Sequence, residues 1–199
     1  MPQVIDKATE QGLIRCSVSW EQFKSIQKGF EGSPGVRLSY YQGVVEIFMP
    51  GRDHELFKKI IAILVETYCI EKEIEFEPTG SMDQEREGEV CVQADESYCI
   101  GNFDQRPNLS IEVIFTSGSV QKLERYRALG VPEVWFWEDG LLTMHCLRAE
   151  GYDRVYRSEI LEFADLEIDL LTRCVLIGET SRLEAVKIFK QGIRSNSDC

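Results

Sequence analysis

The chain has 199 residues, 43% hydrophobic and 28% charged, proportions that suit one globular domain with a substantial core. No apolar run reaches the roughly 18 residues needed to cross a bilayer, and Met1 to Arg15 lacks the pattern of a secretory signal, so a cytoplasmic location is the default expectation. With 34 acidic against 22 basic residues the net charge is −12, which argues against passive binding of nucleic acid through lysine and arginine; an acidic chain still reaches a phosphate where divalent metals sit between its carboxylates and the anion.

In chain order, Ser19-Trp20-Glu21-Gln22 is a capping-box pattern that opens a short helix ending near Gly29. Arg37 to Tyr41 and Val44 to Met49 read as strands joined by a tight turn at Gln42-Gly43. From Asp53 the period changes: His54, Phe57, Ile61, Leu64, Val65 and Tyr68 recur at helical spacing, leaving Lys58, Lys59 and Glu66 mainly for the wet side. Glu73 to Glu77 alternates as a half-buried strand, Pro78 to Glu89 is polar and reads as a loop or ragged hairpin, and Val90 to Ile100 is strand-like around Asp95.

Leu109 to Phe115 is the most convincing strand, with Leu109, Ile111, Val113 and Phe115 on one face and Ser110, Glu112 and Ile114 on the other. Thr116 to Ser119 is a turn, and Val120 to Leu129 a helix stopped by Gly130. Val131 to Trp137 and Leu141 to Leu147 form a second hairpin, with Tyr152 to Tyr156 as an edge strand. A short helical piece at Leu166 to Leu171 precedes a last helix opened by Ser181-Arg-Leu-Glu184 and running to about Gln191, with Lys187 and Lys190 on its wet face. The order indicates a mixed α/β domain with a central sheet. The expected divisions are a segment over 1–18, a main domain over 19–178 and a C-terminal helix with a frayed tail over 179–199.

Seven cysteines, at 16, 69, 91, 99, 146, 174 and 199, form no CxxC pair. Zinc ribbons and disulfide frameworks repeat close pairs, so these read as reduced thiols, mostly small core residues.

Glu112 is the pivotal residue. A carboxylate on an otherwise apolar strand needs a partner, because burying it alone costs several kcal/mol. The partner is either a basic residue on the next helix or a divalent cation that also draws in Asp95. Lys122, one turn into that helix, can point back toward Glu112 to orient a water or stabilise charge on a phosphate; a solvated lysine is the plainer reading. Trp135, Phe136 and Trp137 read as core packing before a stacking platform for bases. No GxGxxG or Walker-type loop supports a nucleotide-binding enzyme.

Four stretches follow in order: Asp95-Glu-Ser-Tyr-Cys-Ile-Gly101, Pro107-Asn-Leu-Ser-Ile-Glu-Val113, Thr116-Ser-Gly-Ser-Val-Gln-Lys-Leu-Glu-Arg-Tyr126, and Gly130-Val-Pro-Glu-Val-Trp-Phe-Trp137. Together they resemble the Uma-two family of restriction-endonuclease-like proteins, in the PD-(D/E)xK nuclease superfamily, over about Trp20 to Leu171. The resemblance implies a mixed central sheet flanked by helices, with Asp95 as the motif aspartate and Glu112 as the second acidic residue. It further implies that Lys122 supplies the lysine missing at Ile114, where the superfamily places it two residues after the acid. Glu46 resembles an upstream acidic residue that completes the site, although an alternating strand exposes half its polar residues anyway. His54 matches a family histidine; on its own pattern it caps, packs, or pairs with Asp53 or Glu55. Ala94 stands where the motif has proline, a change to backbone bias and not to side-chain chemistry.

The function so implied is Mg²⁺-dependent (or Mn²⁺-dependent) endonuclease cleavage of DNA. Asp95, Glu112 and Glu46, with the Val113 carbonyl, would be metal ligands, and a homodimer would suit a cutter of two strands. The rival is a catalytically silent dimeric interaction protein that keeps the fold, favoured by the charge of −12.

Overall fold

The computed structural model describes residues 11–101, 106–115 and 119–195. The capping box is present as read: in α1 (Trp20–Gly29) the Ser19 side chain accepts from the Gln22 N–H, and the Gln22 side chain accepts from the Ser19 N–H. Strands β2 (Arg37–Tyr41) and β3 (Val44–Met49) form the expected hairpin. At its turn Gln42 and Gly43 both take left-handed φ, 47° and 79°, which matches the twist of the flanking strands. Asp139 and Gly140, at 50° and 80°, join β9 (Glu133–Glu138) to β10 (Leu141–Arg148) in the same way.

Two sheets result. One has five antiparallel strands in the order β1-β3-β2-β6-β5, with β1 at Gln11–Arg15, β5 at Asp83–Arg86 and β6 at Val90–Gln93. The other is mixed, in the order β11-β10-β9-β8-β7-β4, with β4 at Phe76–Pro78, β7 at Glu96–Ile100, β8 at Leu109–Ile114 and β11 at Gly151–Val155. Only β8 and β9 run parallel in it, linked by the crossover helix α3 (Ser119–Leu129). The mixed sheet is the central sheet expected. The five-stranded sheet is an addition to that expectation.

Three differences have physical causes. The strand expected over Val90 to Ile100 is two strands, because the chain leaves one sheet for the other at Ala94-Asp95. The polar stretch before it is not a loop throughout: β5 pairs with β6 as a hairpin. The short piece expected at Leu166 to Leu171 starts two residues later and runs on as a longer helix, α4 (Ile168–Thr180), which packs with α2 (Arg52–Glu71) and α5 (Arg182–Ser195). The turn over 116–118, Cys199 and the tail over 196–199 lie outside the described residues.

Helices α2, α4 and α5 cover one face of the mixed sheet. The largest core there joins Ile60, Leu64 and Tyr68 to Ile111, Val113, Trp135 and Trp137. On the opposite face Ile114, Val134 and Phe136 pack with Tyr126 of α3 and with Val90, Val92 and Ala94 at the seam between the sheets. A third core sets Phe23 of α1 against Leu38, Tyr40 and Val45. The aromatic run is therefore core: Trp135, Phe136 and Trp137 are all buried. Of the residues expected on the wet side of α2, Lys58 is half-buried and its Nζ donates to Ser81 Oγ at 3.2 Å. Lys190 pairs with Glu71 at 2.7 Å.

Gly178 lets α4 approach α2. A Cβ there would lie 2.6 Å from Cγ2 of Ile60, a fully buried, β-branched residue with little rotamer freedom in a helix. Gly178→Ala is expected to cost about 1–3 kcal/mol by overpacking, despite alanine's better helix propensity. Urea denaturation checks the sign, and a gain in stability would refute it.

Among the described cysteines Cys16 is exposed and the other five are buried. Burial is the main cause that pushes the Cys69, Cys91 and Cys146 thiols up to about 12, with neighbouring carboxylates adding to it. The thiolate is the reactive form. At pH 8, iodoacetamide is therefore expected to modify Cys16 and to spare Cys69, Cys91 and Cys146 until the protein is unfolded. Peptide mapping by mass spectrometry reads this directly.

Candidate active site

Asp95 sits at the crossing between the two sheets. Its neighbour Glu96 lies opposite Ile111 in the antiparallel β7–β8 pair, and one further step in that register sets Asp95 opposite Glu112. Opposite residues of an antiparallel pair share a face. Asp95 has left the ladder, and its carboxylate fills the vacated place: Oδ2 accepts the Val113 N–H at 2.6 Å.

Glu112 alternates away from Ile111 and Val113 and turns toward α3. Lys122 Nζ donates to its Oε2 at 2.6 Å, and the Tyr126 hydroxyl donates to its Oε1. Burial first, then the Glu112 charge, holds the Tyr126 phenol well above its ordinary pKa, so it stays a donor. Both carboxylates are almost fully enclosed, Asp95 at 1% and Glu112 at 3% exposure, which is why each needs charged or hydrogen-bonding partners.

Asp95 Oδ1 is met by two groups. His54 Nε2, from the first turn of α2, lies 2.8 Å away, and the Arg37 guanidinium of β2 contacts the same oxygen. Arg37 also donates to Glu55 at 2.7 Å. Burial, reinforced by the charges of Arg37, Lys122 and Lys58, pushes His54 down to about 3, so the imidazole is neutral at pH 7 and its Nε2–H is assigned as donor to Asp95. His54 thus pairs with Asp95.

Glu46 lies directly across from Ser39 in the β2–β3 register, and Arg125 Nη1 bridges the two, 2.6 Å from Ser39 Oγ and 2.6 Å from Glu46 Oε2. Asp95, Glu112, Lys122 and Glu46 all line one pocket of about 330 Å³ between the five-stranded sheet, the end of β8 and α3. Arg37 and Arg125 line it as well. The pocket thus combines three carboxylates with three cations inside a strongly acidic chain. Among the described residues no three or more His, Cys, Asp and Glu side chains converge as a metal cage.

Sequence reasoning missed Arg37, Arg125 and Tyr126. A signal was present for the last two: Lys122, Arg125 and Tyr126 stand at i, i+3 and i+4, one helix face. Arg37 and Ser39 alternate onto one face of β2, but nothing local says that this face meets a distant helix.

An α/β domain with a mixed sheet and a buried acidic-basic pocket at its strand ends is of the restriction-endonuclease-like class. Residues 20–172 match the model of the Uma2 family, described as "Putative restriction endonuclease", and the chain belongs to that family. No curated protein matches it. Among the described residues no helix is long and apolar enough to cross a membrane.

Proposed function

We propose that the protein is a divalent-metal-dependent endonuclease that hydrolyses phosphodiester bonds of DNA, with Asp95, Glu112 and Lys122 as its working residues. The observation that carries this reading is the meeting of Asp95 and Glu112 in one pocket, with the Lys122 ammonium 2.6 Å from Glu112. Family membership supports it.

The donor set fits a hard cation. Its side-chain donors are carboxylate oxygens, and Mg²⁺ commonly uses one or two carboxylates, with water and substrate phosphate completing its shell. Asp95 and Glu112 would hold Mg²⁺ or Mn²⁺, with the Val113 carbonyl as a further oxygen; Glu46, expected from the resemblance as a third ligand, is tied to Arg125 and does not converge with them. When bound, such an ion lowers the pKa of a coordinated water and offsets charge on the phosphate.

The chain's own residues do the rest. Lys122 Nζ orients the attacking water and donates to the phosphoryl oxygens as their charge grows. Tyr126 fixes the second oxygen of Glu112, and His54 with the Val113 N–H fixes Asp95. These contacts lock the carboxylate rotamers before substrate arrives. The Arg125–Glu46–Ser39 bridge holds the opposite wall.

Purified protein is expected to cut DNA in Mg²⁺ or Mn²⁺ and to stop in EDTA. Lys122→Ala is expected to lower the rate by about 10²–10³, the usual effect of deleting one transition-state donor. No metal-dependent cutting by the wild type, or equal cutting by the variant, defeats the proposal.

One observation favours a second reading, a catalytically silent interaction protein. Each oxygen of Asp95 and Glu112 already has a protein donor. A scaffold needs no metal, so titration calorimetry with Mn²⁺ separates the readings: binding that Asp95→Asn abolishes supports the nuclease.

A further inference from the structure

We propose that the site takes a single strand of DNA and excludes the duplex, and that β1 forms one wall of the strand's path with Ile14 packed on a base or sugar. This rests on the nuclease reading above and goes beyond it by naming the substrate form.

The first support is depth. The two carboxylates sit at 1% and 3% exposure within a pocket of about 330 Å³. A duplex carries its phosphates on a stiff rod that bends only at a cost of several kcal/mol, whereas a single strand can lead one phosphodiester inward.

Charge is the second support. Duplex affinity depends on many cation–phosphate contacts across a broad face, and a net charge of −12 opposes it. The cations that count here, Arg37, Lys122 and Arg125, gather inside the pocket, where a single backbone would pass.

The third support is the wall itself. Strand β1 pairs with β3 so that Gly12 lies opposite Phe48 and Ile14 opposite Glu46. Gly12 and Ile14 line the pocket, and the intervening Leu13 does not. Ile14 is 64% exposed, an aliphatic side chain at the rim of a charged site, with Phe48 and Phe115 in the same lining. Apolar flanks beside cations suit the bases and backbone of a single strand. Strand β1 also precedes the family match, which begins at residue 20, so this wall is an addition to the matched region.

The test is fluorescence anisotropy in Ca²⁺ with a labelled oligothymidine of about twelve nucleotides, within the usual span of single-strand sites, and a duplex of equal length. The wild type is expected to bind the single strand about tenfold more tightly than the duplex. Ile14→Ser, at an exposed position and without setting a second carboxylate opposite Glu46, is expected to weaken single-strand binding about tenfold, the scale of one lost base contact. Gly12→Leu, whose Cβ has Phe48 Cδ2 as nearest neighbour at 4.0 Å, fills the pocket from the same strand and is expected to do likewise.

Equal or tighter duplex binding overturns the inference, as do two variants that bind like the wild type, or no binding to either DNA. Cleavage of the duplex at least as fast as the single strand overturns it and leaves the nuclease reading standing. Single-strand binding that Ile14→Ser weakens, in a protein that cuts nothing in Mg²⁺ or Mn²⁺, upholds β1 as the contact wall and overturns the hydrolytic reading.

Discussion

Glu112→Gln is expected to abolish metal-dependent cleavage, by a factor of about 10³ or more, because a neutral amide removes several kcal/mol of metal and transition-state stabilisation. The substitution is nearly isosteric. The amide oxygen can still accept from Tyr126 or Lys122, and the Lys122 side chain, 26% exposed, can turn toward water once its counter-charge is gone. The fold should therefore lose only about 1–2 kcal/mol. Glu112→Ala is a poorer probe, since it strands the fully buried Tyr126 hydroxyl and mixes folding with chemistry. A plasmid or oligonucleotide assay in Mn²⁺, paired with thermal unfolding of the same sample, reads both quantities. A folded Glu112→Gln protein that cuts at the wild-type rate ends the proposed mechanism.

Asp95→Ala is expected to act on the fold itself, lowering stability by about 3–5 kcal/mol, the cost of removing one partner from a buried charge cluster. Three groups depend on that carboxylate: the Arg37 guanidinium, the His54 imidazole and the Val113 N–H. For a chain of this length the loss corresponds to a fall in melting temperature of about 6–20 °C. Asp95→Asn keeps an acceptor for the Val113 N–H and should fall by less than half as much, while losing metal binding completely. Differential scanning calorimetry without metal, then with Mn²⁺, separates these contributions. If Asp95→Ala melts within a degree or two of the wild type, the ion cluster is not structural.

Much of the frame around the site was legible because its signals are local. Alternation in Leu109 to Phe115 put Glu112 on the face away from Ile111 and Val113, and that face meets α3 as the spacing to Lys122 implied. The capping box at Ser19 and the left-handed pairs at Gln42-Gly43 and Asp139-Gly140 are equally short-range. Strand β1 carries no such mark: Leu13 and Ile14 are adjacent apolar residues, both exposed, and only pairing with β3, more than thirty positions downstream, makes them a strand. The break at Ala94-Asp95 was hidden for a similar reason. Val90 to Ile100 has no Gly or Pro to interrupt it and reads as one strand around Asp95, and only the partners on either side, β2 and β5 against β8 and β4, divide it.

In the site, the sequence leaves a Glu112–Lys122 salt bridge and a metal at Glu112 as alternatives, and the ion pair stands at 2.6 Å. A lysine that neutralises a carboxylate in one state can attend a phosphate in another, so the pair does not decide the chemistry. Arg37 and Arg125 escaped notice because their partners, Asp95 and Glu46, are 58 and 79 positions away in the chain.

The Val113 N–H bond to Asp95 has a bearing on how this lineage can change. One carboxylate is both a rung of the sheet and a proposed ligand, so selection for folding alone preserves it. A descendant that had ceased to cut would keep an aspartate or asparagine here, and its presence in a related sequence would say little about activity. Lys122 has no comparable duty to the sheet, and its side chain is 26% exposed. It is, however, the charged partner of the buried Glu112, so it can drift only together with that carboxylate, and positions 112 and 122 read together are the better marker of whether a relative keeps the proposed site.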